Sequence, residues 1–459
     1  MPSVHDTTMV ELVKNEWFTR VWTFQELCLA QRPIVIYEHA TITWDVLHRC
    51  LVHHQNSGIA LWPSWYRSAW MRDMFLESQH RGNIQKEAAN PRGPQIALGG
   101  PLDPTDETRI RLSRLATSVL HLSRQRLARD PLDKVYGLYQ VFSDLGLELP
   151  EPDYRQSPAA VYEEITFKLI QYTRSLSILL DYVISQKRMD GLPSWVPDYS
   201  ELPWPVHNDL YSQTWRFFFG RILLERRPGE LLIQGKTHGT IEAVGDRMPH
   251  KQMTETSFED DEGGYLITLY RWHKFFIQRN APHTNSNEDM TSFYKNLLRA
   301  DLGKDTTSTI ETTQGFLPRF MLILATVFEN GMDDHYAHQD RGDKRSLEIF
   351  ELVLQANHLS EEPLETDQLF KMISLLQSRL EGMCLFTTSN GLLGLSTGDV
   401  QANDTVGLFT GAATPLILRS TQKADNVFRL VGPASISTLS EDAWTSVYKH
   451  EDLQTLVLV

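Results

Sequence analysis

One carboxylate, Glu26, stands out in the stretch 17–30, WFTRVWTFQELCLA, where it sits among aromatic and aliphatic side chains. In a helix, Phe18, Trp22 and Glu26 fall at i, i+4 and i+8 on one stripe, flanked by Val21, Gln25, Cys28 and Leu29. So many rings and aliphatics predict a largely buried helix. A carboxylate on such a helix needs a partner or a task. The candidate partners are Arg20 and Arg32. The task would be chemistry, because perturbed carboxylates gather at functional sites. On residue types alone, a paired or edge-exposed glutamate outweighs a catalytic one.

Other clusters carry chemistry-bearing side chains with a plainer reading beside each. Asp130, Asp133 and Lys134 surround Pro131, and a helix cap plus an ion pair at a helix start is favoured over a charged catalytic group. Asp333, Asp334, His335, His338, Asp340 and Asp343 have metal-ligand side chains, but with Arg341 and Gly342 among them they read as a solvated loop, so no metal is expected. The glycines from Asn390-Gly391 to Gly398-Asp399 lie between strand-like runs. A phosphate-cradling loop would open a helix, so these read as hairpin turns. Trp62, Trp65, Tyr66 and Trp70 have only Arg67 and Arg72 nearby and read as core, not as a base-stacking platform. No nucleophile elbow, Walker loop or zinc-protease motif is present.

The elements that must position these groups give a mixed α/β (α+β) fold in three parts. Residues 1–60 read as helix, strand (Pro33 to Tyr37) and helix (from a Thr43 cap), the end of an α/β unit. The strand reads as buried and in need of parallel neighbours. Residues 61–200 read as mostly helical: a Gly/Pro-rich loop over 81–108, helices at 108–127 and 133–142, and a helix after Ser157-Pro158 through Val161, Ile165, Leu169 and Ile170. Residues 192–200 read as an extended segment pinning one layer onto another. Residues 201–459 read as a small antiparallel barrel or sandwich, with strands at about 220–245 and 384–437. The helices between them, about 264–381, form an insertion.

Composition narrows the function classes. A net charge of −14 opposes general nucleic-acid binding, which needs a basic face. Three separated cysteines, Cys28, Cys50 and Cys384, argue against a disulfide framework or a Cys-rich zinc site and fit the reducing cytoplasm. The polar residues 1–15 carry no signal peptide, and the longest apolar run, Met321 to Phe328, is far short of a membrane span.

The segment R-V-W-T-x-Q-E-x-x-L-A (Arg20 to Ala30) resembles the end of the fungal heterokaryon incompatibility (HET) domain. Three further stretches are similar to that family in the same order: Ala128 to Leu138 (ARDPLDKVYGL), Pro152-Asp153-Tyr154 with Val161-Tyr162, and Leu192 to Ser200 (LPSWVPDYS). Looser similarity continues through Asn390 to Leu395, Gly398-Asp399, Pro415 to Arg419 and Phe428 to Gly432. The resemblance marks Asp130, Pro131, Asp133, Lys134, Tyr136, Trp195, Pro197 and Asp198 as structural motif residues. The family's opening L-S-Y-x-W-G strand, its C-I-N-Q motif and its M-x-x-I-Y-x-x-A helix have no counterpart here. The chain is therefore expected to hold a TIR-like α/β remnant of the HET domain plus the downstream region. The resemblance implies non-self recognition and programmed cell death after hyphal fusion, with other proteins of the incompatibility system as partners. HET domains are distantly similar to TIR domains, some of which cleave NAD with a helical glutamate. Trp22 to Glu26 is similar to that helix, with Glu26 at the matching position and Trp22, Gln25 and Arg20 in support. NAD is thus a possible substrate, and no cofactor is implied. With the N-terminal adenine and phosphate loops missing, hydrolysis by this chain is expected to be weak or absent.

Overall fold

The computed structural model describes residues 15–37, 39–56, 115–120, 123–124, 126–181, 188–201, 224–249, 262–280, 319–328, 343–412, 414–421, 424–436 and 453–459. The expectations for the aromatic cluster at 62–72, the loop at 81–108 and the ligand-type residues at 333–340 fall outside these residues. The chain divides into two compact units. One comprises Met1–Pro205, Phe219–Ile233 and Val457–Val459, the other Val206–Phe218 and Gln234–Leu456.

The first unit opens with a 3-10 turn, Glu16–Thr19, whose first amide is capped by Asn15: Trp17 N donates to Asn15 Oδ1 at 2.9 Å. Helix α1, Val21–Leu29, follows. It buries Val21, Thr23, Phe24, Leu27 and Cys28 and leaves Glu26 exposed. Each residue turns a helix by about 100°, so the Val21–Phe24–Cys28 stripe places Glu26 on roughly the opposite face. The expected Phe18–Trp22–Glu26 stripe does not form, because Phe18 belongs to the preceding turn.

Strand β1 (Ile34–Tyr37) and strand β2 (Ala40–Thr43) pair antiparallel from Ile34↔Thr43 to Tyr37↔Ala40. This corrects the expectation of a buried strand from a parallel sheet. Period-2 alternation splits the apolar run: Val35, Tyr37 and Ile42 pack against a small core of Phe18, Leu27, Trp44 and Leu47, while Ile34 and Ile36 face outward. Helix α2, Trp44–Asn56, begins directly after β2.

The predicted helix over 133–142 is two short helices, α3 (Asp133–Tyr136) and α4 (Tyr139–Asp144), separated at Gly137 and Leu138. Helix α5, Pro158–Thr173, is capped as its sequence predicts: Ala160 N donates to Ser157 Oγ at 3.3 Å, and proline occupies the first turn. It buries Val161, Tyr162, Ile165, Leu169 and Ile170. Strand β3 (Leu224–Arg227) forms a hairpin with the start of strand β4 (Glu230–Arg247) through a Pro228-Gly229 turn, in which Gly229 takes φ +76°.

In the second unit, β4 continues as one long strand. It pairs with strand β7 (Thr405–Phe409) over Gly235 to Thr240 and with strand β5 (Cys384–Thr388) over Ile241 to Arg247. Strand β6 (Leu393–Ser396) pairs with β5 and with the end of strand β9 (Val427–Ile436). The earlier part of β9 pairs with strand β8 (Leu416–Ser420), which pairs with β7. Both β4 and β9 thus pass from one small antiparallel sheet to another, as in sandwiches whose corners are made by strands that switch sheets, and the pairings run β4–β5–β6–β9–β8–β7 and back to β4. Ile241, Phe386, Val406, Leu408, Ile417, Val431 and Ala434 fill the space between. Gly394 must lack a side chain, because a Cβ there would lie 2.3 Å from the Phe386 ring.

The helices expected as an insertion stand between β4 and β5: α6 (Glu262–Asn280), residues 319–328, α7 (Asp343–Leu359) and α8 (Thr366–Leu380). A capping box of Glu365 and Gln368 starts α8. Strand β10, Gln454–Leu458, ends the described chain. Among the described residues, no helix is long and apolar enough to cross a membrane.

Candidate functional site at helix α1

The sequence motifs of the first unit converge on α1 and the turn before α3. The backbone of Leu127 makes a short parallel bridge to Arg20: Val21 N donates to Leu127 O at 3.0 Å and Leu127 N donates to Thr19 O at 2.6 Å. Beside this bridge lies Arg126, which is buried. Its Nη1 donates to Phe18 O (3.2 Å), Arg20 O (3.1 Å) and Thr23 Oγ1 (3.2 Å). Its guanidinium lies 5.3 Å from the centre of the Phe24 ring. Burial pulls its pKa down to about 10. The carbonyls before α1 are thus satisfied by a cation where a longer helix would use its own amides. Nothing in the residue pattern singles out Arg126, because its role depends on a contact spanning more than a hundred positions.

Lys134 is also buried, and it does not pair with Asp130 or Asp133 as expected. Its Nζ donates to Arg124 O at 3.1 Å and to Arg126 O. It therefore holds the turn that presents the Arg126 side chain to α1. Burial, and secondarily the Arg124 guanidinium, lowers its pKa to about 8 against a smaller opposing pull from Asp198. Asp130 does cap the turn: its Oδ1 accepts Leu132 N at 2.9 Å. Asp133 Oδ1 accepts the Tyr154 hydroxyl at 2.8 Å, and burial together with this bond pushes Tyr154 up to about 12.

Tyrosine hydroxyls tie the remaining motifs to the same place. Tyr136 donates to Asp153 O (3.0 Å) and Tyr162 to Pro131 O (2.7 Å). Tyr162 packs edge-on against Tyr199, whose hydroxyl is 2.8 Å from Thr166 Oγ1. In the 192–200 segment, Trp195 and Pro197 are buried. Asp198 accepts Met189 N through Oδ2 at 2.8 Å and the Ser200 hydroxyl through Oδ1 at 2.6 Å.

Around Glu26 itself the surface is open. Neither Arg20 nor Arg32 forms an ion pair with it among the described residues. Trp22 is half-buried over Gly137, where a Cβ would meet Asp133 O at 2.8 Å and the Trp22 ring at 3.5 Å. Gln25 Oε1 accepts Gln140 N at 3.2 Å, satisfying an amide in the first turn of α4. The arrangement presents one accessible carboxylate on a short helix whose far side is clamped by Arg126.

The second-unit motifs are structural where they are described. The 390–399 glycines serve hairpin turns: Gly391 takes φ +78°, and Thr388 N donates to Leu392 O at 3.0 Å. Asp404, which sequence reasoning missed, is buried and receives Arg419 in bidentate fashion, with Nε and Nη2 each at 2.8 Å. Among the described residues, no group of three His, Cys, Asp or Glu could hold a metal ion.

No curated protein and no solved structure matches the chain. Residues 270–454, from within α6 to the first residue of β10, match the family model of the Het-6 beta-barrel domain, which ties this part of the chain to fungal heterokaryon incompatibility proteins.

Proposed function

We propose that the chain acts in fungal non-self recognition of the heterokaryon incompatibility type, in the cytoplasm, as an interaction or regulatory module that promotes programmed cell death. The observation that carries this reading is the Het-6 beta-barrel match over 270–454. The linkage of the HET-like stretches to one another, through Gly137 against α1, Tyr162 on Pro131 and Tyr199 on Thr166, supports it. In those stretches, Asp130, Lys134, Tyr136 and Asp198 spend their polar atoms on backbone groups, as a scaffold does and a catalytic centre does not. The test is induced expression in fungal strains differing at incompatibility loci, scoring fusion-cell viability by dye exclusion. Strain-dependent death is expected. Uniform viability with the protein present would sink the reading.

A second reading is NAD hydrolysis through Glu26. It is favoured by one observation: this carboxylate is exposed on α1 beside Trp22, where a substrate can reach it. Cleaving the nicotinamide–ribose bond builds oxocarbenium character, which a nearby carboxylate stabilises. Nicotinamide release by the purified chain, with Glu26→Ala alongside, decides it. Release lost in the variant supports catalysis, and no release from folded wild type removes it.

A further inference from the structure

Among the described residues, the β1–β2 hairpin has an unpaired edge. The bond from Trp44 N to Pro33 O (2.9 Å) extends the Ile34↔Thr43 register by one pair and fixes the parity of the ladder. Residues 33, 35 and 37 turn their backbone groups toward β2, so those of Ile34 and Ile36 point the other way. Among the described residues, no strand takes up that edge, and the sheet has two strands only. Proline is a usual guard of sheet edges, but here Pro33 has the inward parity, so its missing N–H does not blunt the outer edge. The side chains at the two outward positions are isoleucines, 57% and 74% exposed. Their cross-strand partners, Thr43 and Thr41, are also exposed, so the outward face is β-branched and uncharged.

We propose that this edge pairs with a second copy of the chain, β1 against β1 in antiparallel register about a two-fold axis at Val35. In that register Ile34 stands across from Ile36 of the other copy, and each such pair exchanges both backbone hydrogen bonds. The four isoleucines form one cross-strand cluster on the solvent face. The sequence carries the charges that an antiparallel self-pair needs at its ends, Arg32 before the run and Glu38 after it. A parallel pair would oppose like charges. The contact is a four-residue strand, well below the ~800 Å² per partner of a stable interface, so the dimer is weak and concentration-dependent. The uncharged outward face of the hairpin adds no local repulsion to the approach of two chains of net charge −14.

The test is sedimentation velocity of the full chain over a concentration series. Wild type is expected to pass from monomer to dimer. Ile36→Lys, at an exposed position, should keep the wild-type melting temperature and raise the dimer dissociation constant about tenfold or more. Arg32→Glu should weaken the dimer in the same direction, and Arg32→Glu combined with Glu38→Arg should restore it. Monomer throughout the series, a dimer indifferent to Ile36→Lys, or no recovery in the double variant would each overturn the proposal.

Discussion

The two units solve the same problem, satisfying buried backbone groups, by different means. In the second unit β-ladders do it: β4 to β9 pair their amides and carbonyls along antiparallel registers over an apolar core. Its buried carboxylate, Asp404, has a bidentate arginine. In the first unit the elements near α1 are too short to satisfy themselves. Helix α3 has four residues and α4 six. Carbonyls of the turns before α1 and before α3 are met by buried Arg126 and Lys134 and by a tyrosine hydroxyl. A ladder spreads its stability over many equivalent bonds, whereas a clamp concentrates it in a few side chains. Single substitutions should therefore separate the two designs.

The largest effect is expected where a ladder loses a whole strand. The Het-6 match begins at residue 270, yet β4 ends at Arg247 and supplies the partner of both β5 and β7. A fragment starting at residue 270 should lack cooperative unfolding by calorimetry, and extending it back to include β4 should restore the transition. Next comes the clamp. Arg126→Met takes the guanidinium donor from Phe18 O and Thr23 Oγ1, while Arg20 O keeps the Thr23 hydroxyl, and should cost about 3 kcal/mol in urea unfolding. A loss under ~1 kcal/mol would refute the clamp. Asp404→Ala removes one partner of a pair whose arginine is partly exposed, and about 2 kcal/mol is expected, below the 3–5 of fully buried pairs.

The two units also differ in the sign of their response to alkaline pH. The folded pKa of Lys134 is about 8, below its ordinary 10.5, so the unfolded chain binds more protons between these values. Stability from this group rises with pH across that window, by at most about 1.4 kcal/mol per pH unit, and is lost as pH falls back through 8. Burial raises the Cys384 thiol from 9.0 to about 11, so its contribution is present below 9 and is lost as pH rises through 11. Lys134→Met should flatten the rise between pH 8 and 9, and Cys384→Ala should let that rise continue above 9, where the thiol otherwise opposes it, both measured by urea midpoints. The smallest effect belongs to Glu26→Ala. An exposed carboxylate with no ion pair among the described residues should change stability by less than about 0.5 kcal/mol. A larger loss would mean that Glu26 has a structural task.

Much of this molecule is written locally in its sequence. Ser157-Pro158 sets the start of α5 because a side-chain acceptor and a fixed φ act within one turn. Gly391 sets the β5–β6 turn because it tolerates the positive φ required there, with Asn390 Oδ1 accepting the Thr388 hydroxyl beside it. The alternating strands and the helical insertion after β4 were legible for the same reason. The Phe18–Trp22–Glu26 stripe was misread because α1 starts only at Val21, so Phe18 lies in the preceding turn and the buried positions are Val21, Phe24 and Cys28; Glu26 is exposed, as the edge-exposed reading had it. Strand β1 was misread because four apolar residues do not reveal which face meets a core. Tertiary structure alone decided that Lys134 caps carbonyls instead of pairing with Asp133, that Arg126 holds the approach to α1, and that Asp404 finds Arg419. Each of these depends on which distant carbonyl or charge is brought within 3 Å or so, a matter of chain path and not of residue type.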